Sequence, residues 1–375
     1  MSKTTFLTSE PPVNQHPNQV LTTAALVDNL KVFQVVWSPP LALRSWGGLE
    51  LKPSAPRSDD IFSDYYLLTM LLCAIQWKLL HKMPIKLYAD NNAFSYLDRY
   101  DLIGIWDSYD TATCGDLEGK IDYTCFFSAG KFYAYLSESA PCLILDLDLI
   151  VWADLIPYLS NMEAGFTHWE AISPETYWYC SKNKLTLPIG YRFPRDWNWN
   201  LDAANTSVVY FSDDRLKNYY AEQAIKYMAD NVVGGDFCLI KPELLFADQR
   251  LLPICADELG LLSRTKPFID TVWIPSDGTF NRPDPELGWW HFYELDNQPL
   301  FTHIWIAKQA IEKNQKYRNY YCHTLLDLIF ARRPDLEASL ARIPCLEKHL
   351  RLYANRDNLD LRQYYSRNLY GSLGP

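Results

Sequence analysis

The chain has 375 residues, 48% hydrophobic and 21% charged, with a formal net charge of −10 at pH 7. That balance belongs to a soluble globular protein, and the length favours one large α/β domain with appendages. The negative charge and the lack of a Lys/Arg run exclude general nucleic-acid binding, and no apolar run reaches membrane-spanning length.

Met1 to about Asn29 is polar and Pro-bearing and is expected to form an extended arm, without the basic-then-apolar order of a secretion signal. Lys31 to Trp37 is the first strand, closed by Ser38-Pro39-Pro40, which leaves a loop at its carboxyl end where α/β ligands bind. The Gly47-Gly48 turn and Lys52 to Pro56 form a connecting loop. Ser58 to His81 is a helix capped by Ser58 or Asp59, with Tyr65, Leu68, Leu72, Ile75 and Leu79 at helical spacing. Pro84 to Asp90 is a second strand, and strand–helix–strand makes a right-handed parallel βαβ unit.

A short helix over Ala93 to Arg99 and a helix over Phe126 to Ser137, carrying Lys131, lead to the central stretch, Cys142 to Trp152. This apolar run reads as a strand buried on both faces, interrupted by Asp146 and Asp148, which a strand would project from one face. Two unpaired carboxylates buried side by side cost several kcal/mol, so a divalent cation or an exit into a polar crevice is expected there. Beyond it, Gly165 to Ile172 reads as a strand. Pro174 to Asn200 is an aromatic-rich irregular stretch assigned to acceptor recognition, because long irregular loops in compact domains are usually functional. Ala203 to Phe211 is a strand, Asp213 to Asp230 a helix with Asp213-Asp214 at its cap, and Phe246 to Leu261 another helix. Thr271 to Ile274 and Pro299 to Trp305 are the last strands, followed by helices from Lys308 to Leu373. Nine Cys without C-x-x-C spacing exclude a zinc knuckle and a disulfide framework and fit a reducing, cytoplasmic compartment.

The order of short motifs resembles the nucleotide-sugar glycosyltransferases of GT-A fold, in particular the small capsular and lipopolysaccharide sugar transferase families. Leu87-Tyr88-Ala89-Asp90 is similar to their early L-Y-x-D strand, and Ala129-Gly130-Lys131 followed by Asp146-Leu147-Asp148 to their A-x-K…D-x-D passage. Asn205 to Phe211 resembles their N-[TS]-G-x-x-x-[FY] strand with Ser207 in place of Gly, and Asp248-Gln249 their [ED]-Q-x-x-L helix. His303 with Lys308 is similar to the late metal-binding His and diphosphate Lys, although the full H-x-x-G-x-K motif is absent.

The resemblance implies a Rossmann-type, mixed but mainly parallel sheet flanked by helices. It implies an arm over 1–29, a catalytic domain over 30–308 and a helical extension over 309–375. The implied activity is metal-dependent transfer of a sugar from a nucleoside-diphosphate sugar, UDP being the commonest nucleotide, to a glycan, lipid-linked or protein acceptor. Mn²⁺ (or Mg²⁺) would be held by Asp148 directly, by Asp146 through water or beside the ribose, and by His303. Trp37 and Ser38, with Asp90, are candidates for the nucleobase, core packing being the competing role for Trp37. Lys131 is a candidate for donor phosphate or sugar against an ordinary solvated lysine, and Lys308 for the diphosphate. Asn205, Asp248 and Gln249 are candidates for donor sugar or acceptor, and Asp248 is a candidate base for inversion that the spacing does not establish. The late His sets a lean towards retention.

Two alternatives stay open: a haloacid-dehalogenase-type phosphohydrolase with Asp146 as nucleophile, and a carbohydrate-binding protein on the same scaffold without turnover. Peripheral membrane contact through the C-terminal helices is a further option, against a solvated face.

Overall fold

The computed structural model describes residues 23–39, 61–115, 117, 119–172, 179–234, 241–270, 272–273, 300–304 and 307–354. The Gly47-Gly48 turn, the Lys52–Pro56 stretch, the Ser58 and Asp59 caps, Ile274, Trp305 and the chain after Ala354 lie outside them.

The described residues begin with helix α1 (Thr23–Asn29), at the end of the stretch expected to be an arm, and its Leu26 lies in the core; residues 1–22 of that stretch lie outside the described residues. Strand β1 (Lys31–Val36), helix α2 (Asp64–His81) and strand β2 (Lys86–Ala89) follow, then α3 (Asn91–Arg99) and β3 (Ser108–Asp110). Helix α4 (Ala129–Ser137) delivers the chain to β4 (Cys142–Leu145). The expected long strand ends there: Asp146-Leu147-Asp148 forms a turn, and β5 (Leu149–Val151) leaves the main sheet. Next come β6 (Ala164–Phe166), β7 (Trp169–Glu170), β8 (Ala203–Ala204), β9 (Val208–Phe211) and helix α5 (Asp214–Met228). A π-helical turn over Phe246–Arg250 feeds helix α6 (Leu251–Glu258), followed by β10 (Thr265–Pro267), β11 (Val272–Trp273) and β12 (Phe301–His303). Helices α7 (Ala307–Lys313), α8 (Gln315–Arg332) and α9 (Glu347–Ala354) complete the described chain.

The main sheet has strand order β10-β6-β9-β4-β1-β2-β3. β3, β2, β1 and β4 are parallel neighbours, β6 and β10 are parallel, and β9 alone runs antiparallel to both its neighbours. This is the mixed, mainly parallel α/β sheet that the sequence implies. Strand order reverses between β1 and β4, and the crevice at their carboxyl ends is where an α/β sheet takes its ligand. Two small sheets, β11-β7-β8 and β12-β5, stand beside that end.

Both faces of the sheet are covered. In β4, Leu143 and Leu145 enter one cluster while Cys142 and Ile144 enter the other, and β9 divides the same way. The first cluster holds α2 together with Leu325, Leu326, Ile329, Leu340 and Leu346 from the C-terminal helices, so those helices share the core of the sheet. This explains why α2 is buried almost all round from Asp64 to Trp77, with Leu79 turned to solvent instead of inward. The second cluster packs α4, α5 and α6 on the opposite face.

Candidate active site

The break after β4 places the acidic pair at the switch point. The backbone N–H of Asp146 donates to Ser207 O at 2.8 Å, prolonging the β4–β9 ladder by one bond. Asp148 then enters β5, whose antiparallel pairing sets Leu149 opposite His303, and Ile304 N–H donates to Asp148 O at 3.0 Å. The ribbon β5–β12 thereby brings a histidine from far along the chain against the acidic turn.

The two carboxylates meet different partners. Asp146 contacts Lys131 Nζ through both oxygens, at 2.8 and 2.9 Å. Lys131 also donates to Thr206 O at 3.3 Å and lies 3.7 Å from Asp248 Oδ2. Thr206 Oγ1 donates to Asp248 Oδ1 at 2.8 Å, and the Tyr220 hydroxyl donates to the Asp248 carbonyl. Burial pushes the Asp146 carboxyl up to about 7, Lys131 opposing this while Asp148 and Asp248 reinforce it. Burial disfavours the Lys131 ammonium too, but Asp146 and Asp248 outweigh it and hold its proton on.

On the other flank, Lys308 Nζ forms a close ion pair with Asp148 Oδ2, and His303 Nε2 lies 3.3 Å from the same oxygen. Burial works against ionised Asp148, yet Lys308 and His303 overcome it and hold the carboxyl well below the usual range. His303 is pushed down, first by burial and then by Lys308 and His168, with Asp148 opposing. A neutral imidazole keeps a lone pair available to a metal.

This donor set fits a divalent ion in part. Asp148 Oδ2 and His303 Nε2 are 3.3 Å apart. Adjacent ligands around an octahedral ion with bonds of about 2.1 Å sit about 3 Å apart. Asp146 is turned towards Lys131, and its oxygens do not close a compact trio with Asp148 and His303. The one group of His, Cys, Asp or Glu among the described residues whose ligand atoms all lie within 4.8 Å of one another is Asp64, Cys322 and His349. There, Arg318 Nε donates to both Asp64 oxygens at 2.8 and 3.0 Å, and His349 Nε2 lies 2.6 Å from Oδ2. Held by a guanidinium and an imidazole together, Asp64 is an ion-paired clamp between α2, α8 and α9.

The remaining candidates fall in two groups. Trp37 packs in the core, edge-on to Tyr123 at 6.2 Å, which is its competing role. Ser38 donates through both its backbone N–H and its hydroxyl to Asp90, and Asp90 also caps α3 through Asn92 N and Ala93 N. Asp90 is thus spent on tying the β1 loop to α3. Asn205 and Gln249 meet around a residue that sequence reading passed over, Glu170. Asn205 Nδ2 donates to Glu170 Oε1 at 2.6 Å, and the Tyr179 hydroxyl touches Glu170 Oε2 and lies 2.6 Å from Gln249 Oε1. Glu170 ends the two-residue strand β7 after Thr167 and His168, without the apolar run that marks the Asp pair.

The aromatic segment before β8 is held by Arg250, which donates to Cys180 O at 2.9 Å and Trp199 O at 3.0 Å. Phe193, Trp197 and Trp199 pack on Phe246, with Trp199 stacked on it at 5.3 Å. Much of the aromatic surplus is packing. Asp213 accepts from Arg215 N at 2.8 Å as the helix cap expected of it. No described helix is long and apolar enough to cross a membrane.

No protein-family model matches the chain. No curated protein matches it. Among solved structures the chain is similar to one assigned as a glucose-1-phosphate thymidylyltransferase from Bacillus anthracis, in complex with sucrose. That match has 13% identity and a TM-score of 0.28, covering 52% of this chain and 75% of that one. A 4-diphosphocytidyl-2C-methyl-D-erythritol synthase from Anaerococcus prevotii matches at 12% identity and a TM-score of 0.28, covering 67% and 88%. Mouse xyloside xylosyltransferase 1, in its apo form, matches at 10% identity and a TM-score of 0.33, covering 73% and 97%. At TM-scores this low the likenesses carry no functional weight, and the chemistry rests on the geometry of the site.

Proposed function

We propose that the protein is a metal-dependent glycosyltransferase that moves a sugar from a nucleoside-diphosphate sugar, with UDP as the expected nucleotide, to a glycan, lipid-linked or protein acceptor. The observation that carries this reading is the turn after β4. Two carboxylates two residues apart meet Lys131, Lys308 and a neutral His303 at the switch point of a mainly parallel sheet. Loss of a nucleoside diphosphate builds negative charge on the leaving oxygen, and fixed cations in a water-poor site stabilise it strongly. Lys308 and Lys131 supply such ends from opposite sides. Mn²⁺, or Mg²⁺, would be held by Asp148 and His303, with Asp146 reaching it through water, and would supply Lewis-acid stabilisation of the departing diphosphate.

Asp248 is engaged by Lys131 and Thr206. An ion-paired carboxylate is a weak base towards an acceptor hydroxyl, which supports retention of configuration over inversion.

Calorimetric titration of UDP with Mn²⁺, repeated with EDTA and with Asp148→Ala, tests the reading. Binding that needs the metal and vanishes in the variant is expected. Failure of the wild type to bind any nucleoside diphosphate would overturn it.

A further inference from the structure

Glu170 is 1% exposed, the least exposed acid among the described residues. No Lys or Arg among the described residues pairs with it, and its ion-pair neighbour is His168, whose Nε2 lies 3.6 Å from Oε1. A buried carboxylate without a cation costs several kcal/mol unless hydrogen bonds compensate. Among the described residues two donors do so, Asn205 at Oε1 and Tyr179 at Oε2.

Donor counting extends the cluster. One phenolic proton cannot serve both Glu170 and Gln249, so the Gln249 amide must turn to donate to Tyr179. The chain then runs from Gln249 to Tyr179 to Glu170, with Asn205 entering at the other carboxylate oxygen. A carboxylate can accept about four hydrogen bonds, so the described donors leave acceptor capacity on Glu170, and the turned amide directs its own oxygen away from Tyr179.

The cluster adjoins the Lys131 flank of the acidic turn: Asn205 precedes Thr206, whose carbonyl accepts from Lys131 and whose hydroxyl donates to Asp248, the residue before Gln249. A buried ring of acceptors beside a diphosphate site suits a ligand rich in hydroxyl donors.

We infer that Glu170, with Tyr179 and Gln249, forms a sugar-hydroxyl subsite that binds vicinal hydroxyls of the transferred hexose or pentose, while the Asp148 flank holds the diphosphate. The inference rests on the glycosyltransferase reading. It also makes Glu170 a sugar-selecting residue, a role distinct from metal or phosphate binding.

The test is calorimetric titration of UDP, UDP-glucose, UDP-galactose and UDP-xylose, each with Mn²⁺, into wild type, Glu170→Gln and Tyr179→Phe. UDP affinity should stay within about twofold in all three proteins. The sugar nucleotide preferred by the wild type should weaken about tenfold or more in Glu170→Gln and about threefold in Tyr179→Phe, the range for losing a charged and a neutral hydrogen bond. If the wild type does not bind UDP, the transferase reading falls and takes the subsite with it. If UDP binds but the wild type shows no sugar preference, or Glu170→Gln leaves that preference intact, the subsite alone is overturned. Should Glu170→Gln lose UDP as well, through misfolding, Tyr179→Phe decides: an unchanged preference overturns the subsite and a weakened one supports it.

Discussion

Asp146 and Asp148 differ in nothing but position, yet the fold surrounds them unequally. On the Asp146 flank two carboxylates, Asp146 and Asp248, share one ammonium, Lys131. On the Asp148 flank one carboxylate has an ammonium and an imidazole to itself. Burial presses on both acids, and the number of carboxylates sharing the ammonium decides the outcome: Asp146 goes up to about 7 and Asp148 goes down. The site as a whole is therefore short of positive charge on one side only. That is where a bound proton gains most.

The comparison breaks most visibly at Asp148. Asp148→Ala removes an expected ligand and the carboxylate paired with Lys308, so UDP-sugar hydrolysis should fall about 10³-fold. Turnover within tenfold of wild type would mean that the well-compensated acid is scaffolding. Next in size is a pH effect of Asp146. The folded protein holds a proton on Asp146 between the ordinary value of 3.8 and about 7, where the unfolded chain has lost it. Bound protons are then more numerous in the native state, so this contribution is full below about 4 and lost as pH rises through about 7. Glu163, pushed up to about 7 by burial and by Asp213, adds a fall of the same sign. The diagnostic is thus a difference: urea unfolding across this window should show a shallower decline for Asp146→Asn than for wild type. Parallel curves would remove the charge-shortage account. The smallest effect sharpens the other flank. Lys308 opposes protonation of His303, so Lys308→Met should move the His303 imidazole upward in an NMR titration, and an unmoved resonance would separate the two groups.

Much of this was open to sequence reading. Cys142 to Leu145 announces a doubly buried strand, and a mainly parallel sheet follows from the strand–helix–strand order before it. Lys131, Asp146 and Asp248 were all named, as were Asp148, His303 and Lys308. Local pattern could not show that the strand stops at Leu145, because Leu149-Ile150-Val151 is just as apolar and differs only in its pairing partner, β12. Nor could it divide the pair, since the division depends on which lysine the tertiary fold brings to each acid. Asp90 looked like a nucleotide contact because a strand-end acid and a helix cap share one sequence signature. Glu170 was overlooked for a related reason: its partners Asn205, Tyr179 and Gln249 come from three separate segments, and only their meeting gives the acid a context.

The π-helical turn at Phe246–Arg250 carries one residue more than an α-helix would use. Each residue turns a helix by about 100°, so that surplus residue sets the heading of Asp248 towards Lys131 and of Gln249 towards Tyr179 while α6 stays seated in the core. Deleting a single residue here would restore ordinary helical phase and swing both side chains off their partners with little change in hydrophobic content. Length is thus constrained in this turn independently of composition: a substitution can be absorbed by a neighbour, whereas a one-residue gap cannot.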